Sequence, residues 1–230
     1  MMNLKDKNIT LETLHGLLCD FVEKICKGRD ESHGYEHMTS VTKRAMDILS
    51  KECDKDEFYD NKLIKVMIVS MLHDVADHKY DKDGDLQKQV INFLETFYDD
   101  PEQIIKIIDY ISYSKEKKAI DNGCPIDFIK ELGDVDANIR HIVSDSDKCE
   151  ALGKMGLRRC VEYTQHSYKQ KYNIDISFEL LKEEVINHSN EKLLRLKDDF
   201  IRTKTGKLMA GKLHIDFVME LEHLFPTIYK

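Results

Sequence analysis

Four side chains of ligand type stand out by their positions in the chain: His37, the adjacent pair His73-Asp74, and Asp145. The pair closes the apolar run "VMIVSML" at 66–72, and Asp145 also follows an aliphatic lead-in, in "IVSDSDKCEALG". Two polar side chains at the end of a core run need partners, because burial without them is costly. One divalent cation would satisfy both; hydrogen bonds from neighbouring protein groups would do so as well. Two neutral imidazoles and two carboxylates form a mixed nitrogen and oxygen donor set. That set suits a hard or borderline ion such as Mn²⁺, Mg²⁺, Fe²⁺ or Zn²⁺. Four protein ligands leave open positions on an octahedral ion, which water and a phosphate oxygen can occupy. A lone histidine carries no such implication, so His141, His166, His214 and His223 are left unassigned.

These residues must be positioned by helices, since the apolar periodicity is helical nearly throughout. "ITLETLHGLLCDFVEKICK" sets Leu11, Leu14, Leu18, Phe21, Val22 and Ile25 mostly three or four apart, with Thr10 as N-cap. Further helices are expected from about His37 to Lys51, over "KLIKVMIVSMLHDVA" and over "LQKQVINFLETF". Pro101 should open another, "PEQIIKIIDYISYS". Two more are expected at 136–153 and 156–168, and two long ones at 176–203 and 207–224. No stretch alternates convincingly at period two, and the fold class is all-α. The "DKDGD" loop resembles the start of a calcium-binding loop. Leu86 and Asn92, however, stand where its sharp-turn glycine and its bidentate glutamate would be.

The chain has 230 residues, 34% of them charged, with three prolines and no tryptophan. One large helical domain spanning 1–230 accommodates that length. A formal net charge of −8 disfavours a partner of nucleic acid polymer type, which requires a basic face. Six cysteines without a C-x-x-C pair argue against a cysteine zinc site. The absence of an apolar signal core or an 18-residue apolar run predicts no membrane association and a cytoplasmic location.

The ordered blocks H…HD…D resemble the HD superfamily of metal-dependent phosphohydrolases. "SHGYEHMTSV" is similar to the S-H-D-x-x-H-x-x-R-V opening of one bacterial-type nucleotide pyrophosphohydrolase subfamily, and "MLHDVADHKY" to its L-L-H-D-I-A-D-x-K-F. "DSDKCEALGKMGLRR" and "INHSNEKLLRLKDDFIRTKTGKLMA" resemble two later blocks, so the likeness runs over roughly residues 15–225. The chain departs from the pattern at Gly34 (Asp in the family), Ser40 (Arg) and Cys149-Glu150 (Leu-Asp). Polar insertions are expected near 51–61 and 115–138, on the surface.

The resemblance implies a single HD-type helical domain with a central metal site between helices. It assigns His37, rather than His33, as first ligand, together with His73, Asp74 and Asp145. Asp77, three residues past Asp74, is the candidate for orienting or deprotonating water, with Asp74 beside it; the bland reading of Asp77 is a turn-capping acid. His33, Lys79, Lys148, Arg159, His188 and Lys192 become candidates for substrate binding; His33 would support the ligand His37 or face the substrate, and each of the other five has a structural or solvated reading of equal weight. One divalent ion is implied, Mn²⁺ first, with Mg²⁺, Fe²⁺, Co²⁺, Ni²⁺ and Zn²⁺ admissible. The implied reaction hydrolyses a nucleoside or deoxynucleoside triphosphate to monophosphate and pyrophosphate. An HD phosphodiesterase or nucleotidase acting on another phosphorylated small molecule is the alternative within the enzyme class. A metal- or nucleotide-binding module without turnover is the alternative outside it.

Overall fold

The structure, a computed structural model, describes residues 4–5, 9–29, 33–54 and 58–226. Residues 55–57 of the polar stretch at 51–61 therefore lie outside the described residues. Among those described, the fold is all-α, with one isolated antiparallel bridge between Leu4 and Tyr98. No described helix is long and apolar enough to cross a membrane. The chain forms two compact units, Met1–Ser146 and Asp147–Lys230.

The first unit is built around α3 (Tyr59–Leu72). Ile64 and every residue from Val66 to Leu72 are buried, as expected of a helix surrounded by others. Helices α1 (Leu11–Ile25), α2 (Tyr35–Glu52) and α5 (Pro101–Asp109) pack against it, and α4 (Asp85–Glu95) packs on α5. Thr10 caps α1 as expected, its Oγ1 accepting from the Thr13 N–H at 3.1 Å. Helix α2 turns His37, Met38, Val41, Thr42, Ala45, Ile48 and Leu49 inward. The Ser70 hydroxyl on α3 donates to Thr42 Oγ1 at 2.9 Å, and Thr42 donates to the Met38 carbonyl at 2.8 Å. This buried pair fixes the register of α2 on α3 close to His37 and His73. In "DKDGD", Asp81 accepts from the N–H groups of Leu86 and Gln87, both at 2.9 Å, so its carboxylate serves the first turn of α4.

Two expected elements break where the sequence pattern runs on. The helix from Pro101 ends at Asp109, and Ser112 caps a separate α6 (Tyr113–Asp121). The cause lies in α8 (Asp134–Glu150): Arg140 donates from Nε to the Tyr110 carbonyl at 2.7 Å. Arg140 also pairs with Glu116 at 2.6 Å and lies over the Phe128 ring, 3.9 Å from its centroid. Both partners of the ion pair are buried. The 115–138 stretch is therefore not wholly polar surface: it carries Glu116, Phe128 at the start of α7 (Phe128–Leu132) and Ala137, all buried.

The second unit contains α9 (Gly153–Tyr172), α10 (Phe178–Glu191) and α11 (Lys204–Leu224), with α9 packed on both others. Gly153 adopts φ +71°, and Gly156 sits so close to Ala151 that an added Cβ would lie 2.3 Å from its carbonyl. Glycine is required at both ends of that turn. The expected long helix at 176–203 is instead divided. After α10 come a 3₁₀ turn at Leu193–Arg195 and a π turn at Leu196–Phe200. Tightening and then loosening the winding brings Leu193, Leu196, Phe200 and Ile201 all into the interior. Thr203 then caps α11 by accepting from the Gly206 N–H at 3.0 Å.

The buried Arg140–Glu116 pair separates from surface pairs in energy. Glu116→Ala leaves a buried guanidinium uncompensated and is expected to cost about 3–5 kcal/mol. Lys117→Ala, which removes a partly exposed pair with Asp121, should cost less than about 1 kcal/mol. Urea denaturation of the full chain measures both; equal losses would contradict this account.

Candidate metal centre

His73 lies just past the last residue of α3, where a helix has unsatisfied carbonyls. Its Nδ1 is 2.8 Å from the Ser70 carbonyl oxygen. A carbonyl only accepts, so Nδ1 carries the proton and Nε2 of the neutral ring presents a lone pair. That Nε2 lies 3.3 Å from His37 Nε2 and 3.7 Å from Asp74 Oδ2, and His37 Nε2 is 3.6 Å from the same carboxylate oxygen. Three potential donor atoms from two segments thus converge. Metal–nitrogen and metal–oxygen bonds of roughly 2.1 Å place neighbouring donors about 3.0 Å apart on an octahedron and about 3.4 Å apart on a tetrahedron. The observed spacings are close to these values and need little adjustment. His37 and His73 are buried, while the Asp74 side chain keeps 25% of its surface exposed. The cluster is therefore open on the aspartate side, as a site that admits ligands must be.

Helix α3 does not continue through Ala76 as the sequence pattern suggested. From Leu72 onward the backbone makes tighter bonds, Val75 N–H to Leu72 O at 3.1 Å and Asp77 N–H to Asp74 O at 3.2 Å. The Arg29 guanidinium stabilises this turn, donating to the carbonyls of Asp74 at 3.0 Å and Val75 at 2.7 Å. Its plane lies over the Tyr80 ring, 4.2 Å from the centroid. Arg29 thereby fixes the peptide that carries Asp74. Sequence reasoning passed over it, because an arginine in the charged segment after α1 has no periodicity or motif to mark it. The buried Cys26 thiol is pushed up, chiefly by burial, with Arg29 opposing and Asp74 adding to the rise.

Around this turn the structure brings several expected residues together. Lys79 donates from Nζ to His33 Nε2 at 3.2 Å, and His33 sits edge-on to Tyr80. Asp77 Oδ1 accepts from the Lys79 N–H at 2.9 Å, so this acid closes the local turn, and its Oδ2 lies 3.5 Å from the exposed His78. Asp145 is fully buried on α8 in the same unit. The remaining candidates belong to the second unit. Lys148 is buried, and Arg159 pairs with Glu150 at 3.2 Å. This pairing gives the glutamate at a departure from the family pattern a partner on α9. His188 is an exposed residue on α10; partial burial of its ring, and then the Lys192 ammonium, hold its imidazole below the usual range, with Glu191 opposing. Lys192 caps that helix, its N–H donating to the His188 carbonyl at 3.0 Å.

No model of a known protein family matches the chain. Over 177 residues, 76% of this chain and 68% of the relative, it is 27% identical to the uncharacterized protein L803 of Acanthamoeba polyphaga mimivirus. Among solved structures, it resembles an HD-superfamily hydrolase from Bacillus thuringiensis with a TM-score of 0.54 and 22% identity, over 92% of this chain and 94% of that one. It also resembles Bacillus subtilis YpgQ, solved in complex with ADP, with a TM-score of 0.62 and 20% identity over 95% and 98% of the two chains. These likenesses are of fold. The protein has the all-α fold of an HD-type domain, and a His/Asp cluster able to bind a metal ion lies within it.

If His37, His73 and Asp74 hold an ion, each alanine substitution should weaken Mn²⁺ binding by more than about tenfold. Arg29→Ala, which only loosens the peptide behind Asp74, should have a smaller effect. Paramagnetic titration of Mn²⁺ measures this; affinity unchanged in His73→Ala would rule the site out.

Proposed function

We propose that the protein is a metal-dependent phosphohydrolase that converts a nucleoside or deoxynucleoside triphosphate to the monophosphate and pyrophosphate. The observation that carries this reading is the convergence of the Nε2 atoms of His37 and His73 with Asp74 Oδ2 on an HD-type fold. The nucleotide class is supported by the sequence blocks that resemble nucleotide pyrophosphohydrolases, and by the ADP bound to YpgQ, a structural neighbour. In this reading Asp145 is the fourth ligand. A bound divalent ion, Mn²⁺ first, supplies Lewis-acid polarisation of a phosphoryl oxygen and makes water more acidic.

The chain's own groups have distinct tasks in that reaction. His73 is held by the Ser70 carbonyl with a proton on Nδ1, which leaves Nε2 of the neutral ring as the nitrogen that ligates. The exposed ammonium of Lys79, beside His33, faces the negative charge of the polyphosphate. Asp77 retains acceptor capacity on Oδ2 and takes a proton from the attacking water. The water oxygen bonds to the α-phosphorus, the bond from that phosphorus to the bridging oxygen breaks, and pyrophosphate leaves with the bonding pair.

A substrate panel of triphosphates, monophosphates, cyclic nucleotides and bis-phosphates, each with Mn²⁺, Mg²⁺, Co²⁺ or no metal, tests the proposal. Triphosphates with Mn²⁺ should yield monophosphate and pyrophosphate. His73→Ala and Asp74→Ala should lose more than about 100-fold of this turnover while keeping the helical circular-dichroism signal. Orthophosphate as the released product would overturn the bond assignment. Absence of turnover with every ion would overturn the enzymatic reading.

A further inference from the structure

Helix α11 presents to solvent a face that its own unit leaves uncovered. Gly206, Ala210 and Phe217 are buried on one side. On the opposite side Leu208, Ile215 and Met219 are 65%, 60% and 63% exposed. Advancing 100° per residue, these three fall within one narrow stripe, about 16 Å long. Exposed apolar residues scattered singly need no explanation, but three aligned on one helix do.

The charges beside the stripe are segregated along it. Lys204, Lys207 and Lys212 are exposed in the first half of the helix, and Asp216 and Glu222 in the second half. Glu220 is not counted with them, because it pairs with Lys154 of α9 at 3.1 Å. Such a helix is complementary to itself when reversed. Placed antiparallel about a two-fold axis near residues 213–214, Leu208 of one copy meets Met219 of the other. Lys204 then comes within a turn of Glu222, and Lys212 within a turn of Asp216, each twice by symmetry. A parallel pairing would set lysine against lysine and acid against acid.

We propose that α11 is a homodimerisation surface, on which a second copy of this chain packs antiparallel through Leu208, Ile215 and Met219, flanked by the lysine and acidic halves. The metal-cluster residues take no part in it. The partner is a second copy because a helix with its charge divided end to end matches its own reverse.

Sedimentation equilibrium of the full chain, at tens of micromolar and in low and high salt, tests this together with two charge-reversed variants. The first carries Lys204→Glu, Lys207→Glu and Lys212→Glu; the second carries Asp216→Lys and Glu222→Lys. The wild type should dimerise, and more weakly in high salt. Each variant alone should lose more than about tenfold in self-affinity. An equimolar mixture of the two should associate, with helicity unchanged throughout. Leu208→Asp with Ile215→Asp should give a monomer of unaltered Mn²⁺ affinity. A monomeric wild type, a dimer indifferent to both reversals, or variants that fail to pair when mixed would each overturn the proposal.

Discussion

The hydrogen bond from His73 Nδ1 to the Ser70 carbonyl is the constraint from which the site follows. It lets a helix as apolar as α3 end in a buried polar residue, by giving the orphan carbonyl of the last turn a donor. The same bond keeps a proton on Nδ1, so in the neutral ring the remaining nitrogen is the one that accepts or ligates. Everything else at the centre places groups around that lone pair. The Ser70–Thr42 hydrogen bond registers α2 so that His37 arrives 3.3 Å away. Arg29 holds the turn that carries Asp74.

The first unit supports this arrangement by burying α3 on all sides from Val66 to Leu72. A helix with one exposed face could rock in its packing; one surrounded by α1, α2 and α5 has little freedom to do so. The Arg140–Glu116 pair contributes differently. It interrupts the helix after α5, and its guanidinium stacks on Phe128, so a charged pair becomes part of the interior rather than its boundary.

The legible part of this protein was what depends on short-range pattern. Thr10 and Pro101 marked helix starts, and the apolar spacing of α1 predicted a buried face; Thr10 caps α1, Pro101 opens α5, and Leu14, Leu18 and Val22 are buried. His37, His73 and Asp74 were picked out by residue type and order, and they do converge. The illegible part involved breaks imposed from a distance. Nothing near Tyr110 announces that Arg140, thirty residues later, will take its carbonyl. Nothing in the run 176–203 announces that the winding changes after Glu191, because 3₁₀ and π turns bury the same residue types as an α-helix.

The sequence alone determined the class of structure and the kind of chemistry available. Periodicity and composition specify helices, and two imidazoles with carboxylates supply a donor set that suits a divalent ion. Only the tertiary structure decided the tautomer of His73 and the turn that ends α3. It also decided the role of Arg29 and the uncovered, charge-divided face of α11. Each depends on which atoms lie within about 3–4 Å across elements distant in the chain, and that distance is set by packing rather than by local preference.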